Sequence, residues 1–229
     1  MSRIVQTDFE KLKEFIETYT LKNLMLDDNY VQLISTCHKK YFAYLTLIAE
    51  LKNTLKEKEF SFILESTSDV ATALFHLFSG SYKSCKLILR SSIETFLKGF
   101  CLSFIEDIDK ESSIYNMFNR IKALPFFNEE FNKRELDIIH YHYKELCKDV
   151  HSADEINMEK ISALNLFPKY SKEDGNSIIS IFLKLIPCYI TLLCKKYNII
   201  FHKIHHRNQE IILYAINKAK RPIINNIEE

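Results

Sequence analysis

Residues 82–105 read YKSCKLILRSSIETFLKGFCLSFI, and this run decides the fold class. Its apolar side chains occupy most positions around a 3.6-residue turn, the pattern of a helix enclosed on several sides. Only other helices or a sheet can enclose it, and the composition selects helices. The 229 residues include 3 Gly and 4 Pro. Sheets and sandwiches need many tight turns, and tight turns need those two residues. Working outward, Phe60 to Phe78 reads as a helix with Gly80 as its stop. Downstream, Leu136, Ile139, Tyr143, Leu146 and Val150 step by three and four, the seam of a helix from about Asn128 or Lys133 to His151.

The remaining segments read the same way. Asp8 caps a helix through Phe9, Leu12, Phe15 and Ile16 to a turn at Leu26-Asp27-Asp28. A second helix carries Val31, Ile34, Tyr41, Leu45 and Ile48 to about Leu55, and a short one runs from Ser112 to Leu124 before Pro125. Asp154 to Leu164 is a short helix or turn, and Pro168 with Asp174-Gly175-Asn176 marks the main irregular connection. Helices at 177–197 and about 202–218 follow, with a frayed tail beyond Pro222. No repeat, low-complexity tract or linker interrupts the chain. The expectation is an all-α, single-domain helical bundle over residues 1–229, built from long antiparallel helices with additional helices.

With 47% apolar and 27% charged residues, the chain has the composition of a folded domain. A net charge of +1 supplies no global field for nucleic acid, so any such binding must come from a local patch. The six cysteines form no CxxC pair and several fall within apolar helical patterns, as reduced core thiols of a cytosolic protein do. Met1 to Asp8 lacks an apolar signal region, which also points to the cytoplasm. Ile178 to Cys194 is rich in Ile and Leu but contains Lys184 and Pro187 and is short for a span of about 20 residues. It reads as a buried, Pro-kinked helix with no membrane partner, membrane insertion being the lesser alternative.

Two sets of polar residues interrupt this apolar scheme. Arg90 and Glu94 share a face of the central helix, where an apolar neighbourhood obliges them to pair. They either lock helix register or present an arginine to phosphate, oriented by Glu94. Beside the seam of the later helix, His140, Lys144, Cys147 and His151 form a stripe, and His151 lies near the helix end. The helix dipole there favours its protonated form, suiting either a general acid–base or a cap for backbone carbonyls. Lys195, Lys196, Lys203 and Arg207 belong to a basic stretch suited to phosphate contact or to a solvated face. His140/His142 and His202/His205/His206 lack carboxylate or thiolate partners at zinc spacing, so no metal site and no cofactor is expected.

Gly80-Ser81-Tyr82 into Leu89-Arg90-Ser91-Ser92-Ile93-Glu94, followed by Tyr143-Lys144-Glu145-Leu146-Cys147-Lys148-Asp149-Val150-His151, resembles the HEPN-like helical proteins over roughly residues 60–155. It is similar to the branch with an Arg-Ser-x-x-Glu helix and a later Tyr-x-x-Leu-x-x-x-Val-His helix. The resemblance implies a helical bundle that dimerises and acts as a metal-independent RNase in toxin–antitoxin or anti-phage defence, beside a regulatory or antitoxin-like partner. It implies a site of Arg90, Glu94, Tyr143 and His151: His151 as acid–base, Arg90 as the phosphate cation, Glu94 as its orienter, and Tyr143 hydrogen-bonding or stacking. The chain departs from the catalytic pattern, because no Arg stands four to six residues before His151. Arg134 and His140, with five residues between them, form a reserve pair. The alternatives are a non-catalytic helical module that binds a partner protein or nucleic acid and, third, a small-molecule or nucleotide sensor with a pocket between helices.

Overall fold

The computed structural model describes residues 28–150 and 171–227. Among the described residues it forms nine α-helices, three short 3-10 turns and no strand. The helices are α1 Asp28–Leu51, α2 Glu57–Phe78, α3 Tyr82–Cys101, α4 Ile114–Lys122, α5 Glu130–Val150, α6 Lys172–Lys196, α7 Asn198–Lys203, α8 His206–Ala215 and α9 Arg221–Asn225. The chain divides into two compact units, Met1–Thr36 and Cys37–Glu229, with the boundary inside α1. The second unit carries every residue discussed below. The helices expected before Asp27 and at Asp154–Leu164 lie outside the described residues.

The α2–α3 hairpin is set by its turn. The Gly80 N–H donates to the Leu77 carbonyl (3.1 Å) and the Ser81 N–H to the His76 carbonyl (2.8 Å), with Gly80 at φ 78°. This paired closure satisfies two orphan carbonyls and needs a left-handed residue, which glycine supplies without a Cβ penalty. The reversal lays α3 antiparallel on α2. Ser66 Oγ donates to the Ser92 carbonyl across the pair (2.9 Å), and further along Gly99 faces Phe62 and Ile63.

The central position expected for α3 is what the structure has: α2, α5 and α6 all pack on it. Its Phe96 ring stacks on Tyr189 of α6 at 3.9 Å and 13°, and both residues are fully buried. Among the described residues, α6 is the one helix long and apolar enough to cross a membrane, but most of its apolar stretch is inside the fold. Ile186, Tyr189, Ile190 and Leu193 have no exposed surface. It is a core helix, with Pro187 in its interior. All six cysteines are free. Burial pushes the thiols of Cys37, Cys85 and Cys101 up to about 12, leaving them as small apolar groups, while Cys147 is half-buried.

Three boundaries differ from the sequence reading. α6 starts at Lys172, so Asp174-Gly175-Asn176 forms its first turn and not a loop. Ser171 Oγ accepts the Asp174 N–H (3.4 Å), and Glu173 and Asp174 sit at the positive end of the helix dipole. Together these contributions of about 1 kcal/mol each offset the similar cost of a helical glycine. The expected helix 202–218 is divided into α7, α8 and a 3-10 turn, interrupted at Ile204 and Ile216, whose backbones are extended. The segment from Pro222 to Asn226 is anchored: Ile224 is fully buried, and Asn198 Nδ2 donates to the carbonyls of Ile224 (3.0 Å) and Asn226 (3.1 Å).

Gly99 sets the closest approach of α2 and α3. A Cβ there would stand 2.9 Å from Phe62 Cβ, which cannot yield without its backbone, and 3.0 Å from the more mobile Ile63 Cδ1. Gly99→Ala should therefore lose about 1–3 kcal/mol to overpacking, more than the ~1 kcal/mol gained in helix propensity. A lowered urea midpoint is expected. A midpoint equal to or above that of the parent would show that the hairpin has room to spare.

Candidate functional site

Arg90 and Glu94 stand one turn apart on α3, and the core seam of α5 directs Tyr143 at them. Glu94 Oε1 lies 3.3 Å from Arg90 Nε. Arg90 Nε donates to the Tyr143 hydroxyl (3.0 Å), and that hydroxyl donates to Glu94 Oε1 (2.9 Å). The three residues thus close a ring of charge-assisted contacts between α3 and α5. The guanidinium carbon also lies 5.4 Å from the centre of the Tyr143 ring, within cation–π range.

Burial is graded across this cluster. Tyr143 is 6% exposed, while the side chains of Arg90 and Glu94 retain 25% and 28%. Burial is the largest influence raising the Tyr143 phenol above its usual pKa; Glu94 adds to it and Arg90 opposes it. The phenol therefore keeps its proton and remains the donor to Glu94. Burial works against the Arg90 charge, but Tyr143, Cys147 and Glu94 outweigh it and hold the guanidinium above its ordinary value. The arginine is a permanent cation fixed through Nε. Its two terminal nitrogens have no partner among the described residues. A guanidinium held in that way can offer its outer edge to two oxygens of one phosphate.

The structure brings Arg90, Glu94 and Tyr143 into contact. His151 lies outside the described residues. The reserve pair is not assembled: Arg134 is exposed, and His140 Nδ1 lies 3.1 Å from Lys122 Nζ. Six residues along an α-helix turn the second side chain about 120° from the first, so the two do not share a face. An ammonium can only donate, so His140 accepts at Nδ1 and is neutral, with its proton on Nε2. Its ring packs on Phe118 at 4.2 Å, and Phe118 contacts Tyr143 at 5.6 Å, which places His140 beside the cluster. No periodicity pointed to Lys122 or Phe118, because both reach the site from α4.

The basic stretch divides. Lys203 and Arg207 are exposed, as phosphate contact requires. Lys195 and Lys196 are not available for it. Lys195 is 4% exposed, with its Nζ 3.2 Å from Glu129. Lys196 lies 3.6 Å from the buried Glu59, donates to the Phe100 carbonyl (2.5 Å) and sits about 5 Å from the rings of Phe100, Phe104 and Tyr197. Both lysines serve the interior of the fold, because the C-terminal end of α6 is enclosed. Among the described residues no group of three or more His, Cys, Asp or Glu side chains is placed to hold a metal ion. No protein-family model, curated protein or solved structure matches the chain.

Two outcomes test this geometry. Tyr143→Phe removes the bridging hydroxyl and should lower stability by about 1–2 kcal/mol in urea titration, since two charged groups lose a shared partner; an unchanged midpoint would show the ring to be mechanically idle. The second concerns His140. Burial, then Lys122 and Lys144, lower its pKa from 6.5 to about 4, with Asp137 opposing. The unfolded chain then binds the proton more readily than the folded one. This contribution to stability is complete above about pH 6.5 and lost as pH falls toward about 4. NMR titration should show His140 neutral at pH 6, with its pKa raised in Lys122→Gln.

Proposed function

We propose that the protein is a HEPN-like helical effector that cleaves RNA without a metal, acting as a toxin or in anti-phage defence. The supporting observation is Arg90: a cation fixed through Nε by Tyr143 and Glu94, a quarter exposed, with its outer nitrogens unpartnered among the described residues. The sequence resemblance supplies His151 as the acid–base group, a homodimer and a regulatory or antitoxin-like partner, and the free cysteines favour a cytoplasmic setting. In the proposed step the RNA 2′-hydroxyl loses its proton to His151 and attacks the adjacent phosphorus. The bond to the 5′-oxygen breaks, and that oxygen takes a proton from solvent water, giving a 2′,3′-cyclic phosphate and a free 5′-hydroxyl. Arg90 would balance the charge that grows on the phosphorane oxygens.

A second reading is favoured by a different observation. Both hydrogen bonds of the Tyr143 hydroxyl are internal, and its ring is buried. A cluster so closed is also suited to fixing the register of α3 on α5 in a non-catalytic module that binds a partner protein or nucleic acid.

The two readings separate in one assay. Purified full-length protein incubated with labelled RNA in EDTA is expected to release cyclic-phosphate ends. Arg90→Ala and His151→Ala should each slow this by at least about 100-fold, the usual cost of a lost transition-state donor or proton-transfer group. Absence of cleavage, or cleavage indifferent to both substitutions, would overturn the proposal and leave the binding module.

A further inference from the structure

A cavity of about 770 Å³ opens among α1, α5, α6 and the 3-10 turn at Lys218–Lys220. Its lining differs from the Arg90 cluster and shares no residue with it. Ile138, Tyr141, Leu183 and Pro187 supply apolar wall, with Tyr141 59% exposed. Three lysines, Lys40, Lys184 and Lys220, stand around it with one lining carboxylate, Asp137.

The charges do not cancel. Lys220 is paired with the buried Glu135 at 2.5 Å, and Asp137 lies 3.7 Å from Lys122, outside the cavity. Lys40 donates to the Ala215 carbonyl, a neutral group, and Lys184 is exposed. Neither has a carboxylate partner among the described residues, so two cations remain for an incoming anion. His142 lines the same cavity and is 4% exposed, with its buried Nδ1 lacking a hydrogen-bond partner among the described residues. Burial, with Lys184 adding to it, lowers the His142 pKa, which favours an uncharged imidazole.

We propose that this cavity binds a small anion with a planar apolar body, of the nucleoside monophosphate class. The volume falls within the range of small-molecule sites. Lys184 and Lys40 would receive the phosphate, and Tyr141 and Pro187 the base. This site is independent of the RNA-cleavage proposal, since a positive or negative result in either leaves the other standing.

The test is calorimetric titration of the full chain with each of the four ribonucleoside monophosphates and, separately, with inorganic phosphate and the parent nucleosides. At least one monophosphate should bind more tightly than both phosphate and its nucleoside. Lys184→Glu should weaken that binding roughly tenfold or more, as loss of a charged hydrogen bond implies. Lys203→Glu, an exposed charge reversal outside the cavity, should not change it. Failure of all four monophosphates to bind, affinity no better than that of phosphate alone, or binding unaffected by Lys184→Glu would each overturn the proposal.

Discussion

Enclosure of α3 by three other helices is the constraint from which the rest of the structure follows. A helix so placed has little water for its polar side chains, and each must be answered from a neighbour. Ser92 shows the rule in its simplest form. Its hydroxyl donates to the Leu89 carbonyl (2.7 Å), so the contact with the Tyr189 hydroxyl at 3.2 Å must be donated by the tyrosine. Its carbonyl meanwhile takes the Ser66 hydroxyl of α2. Lys98 reaches the Asp109 carbonyl at 3.2 Å, and Arg90 and Glu94 reach α5 through Tyr143. The candidate site is thus a particular solution to a general packing problem, distinguished by an arginine whose outer nitrogens have no partner among the described residues.

The same reasoning accounts for the charged residues at the end of α6. Lys196 and Glu59 meet in a pocket where aromatic rings replace water, and Glu59 also accepts the Lys56 N–H at the start of α2 (3.0 Å). One carboxylate therefore caps one helix and holds the end of another. A buried pair of this kind contributes little net stability, because desolvation cancels most of the attraction; removing one partner would leave the other stranded. Its effect is to reject arrangements in which α2 and α6 slide past each other.

Most of the fold was legible because helices leave a periodic trace. The seam Leu136, Ile139, Leu146 is buried as its spacing requires, and Gly80 ends α2 where a left-handed residue is needed. Arg90 and Glu94 could be paired because they share one face of an apolar stretch, whereas Tyr143 joined them only through the resemblance to the HEPN-like proteins. What sequence could not supply was pairing across the chain. Glu59 and Lys196, or Lys122 and His140, come together only through tertiary packing, and no local pattern distinguishes Lys195 from Lys203. One is buried and the other exposed because α6 ends inside the molecule and α7 ends at its surface. The misread start of α6 has a local cause: capping by Ser171 and two acids overrides a glycine that, taken singly, signals a loop.

Cys147 gives the fold a practical property. It lies one turn beyond Tyr143 on α5 and acts electrostatically on both Arg90 and Tyr143, yet it alone of the six thiols is not buried. The other five are withdrawn by packing, so the native sequence already has the selectivity that labelling experiments otherwise obtain by deleting cysteines. A small fluorophore or spin label introduced through that sulfur would sit beside the arginine and report on whatever approaches it, in a chain otherwise unaltered.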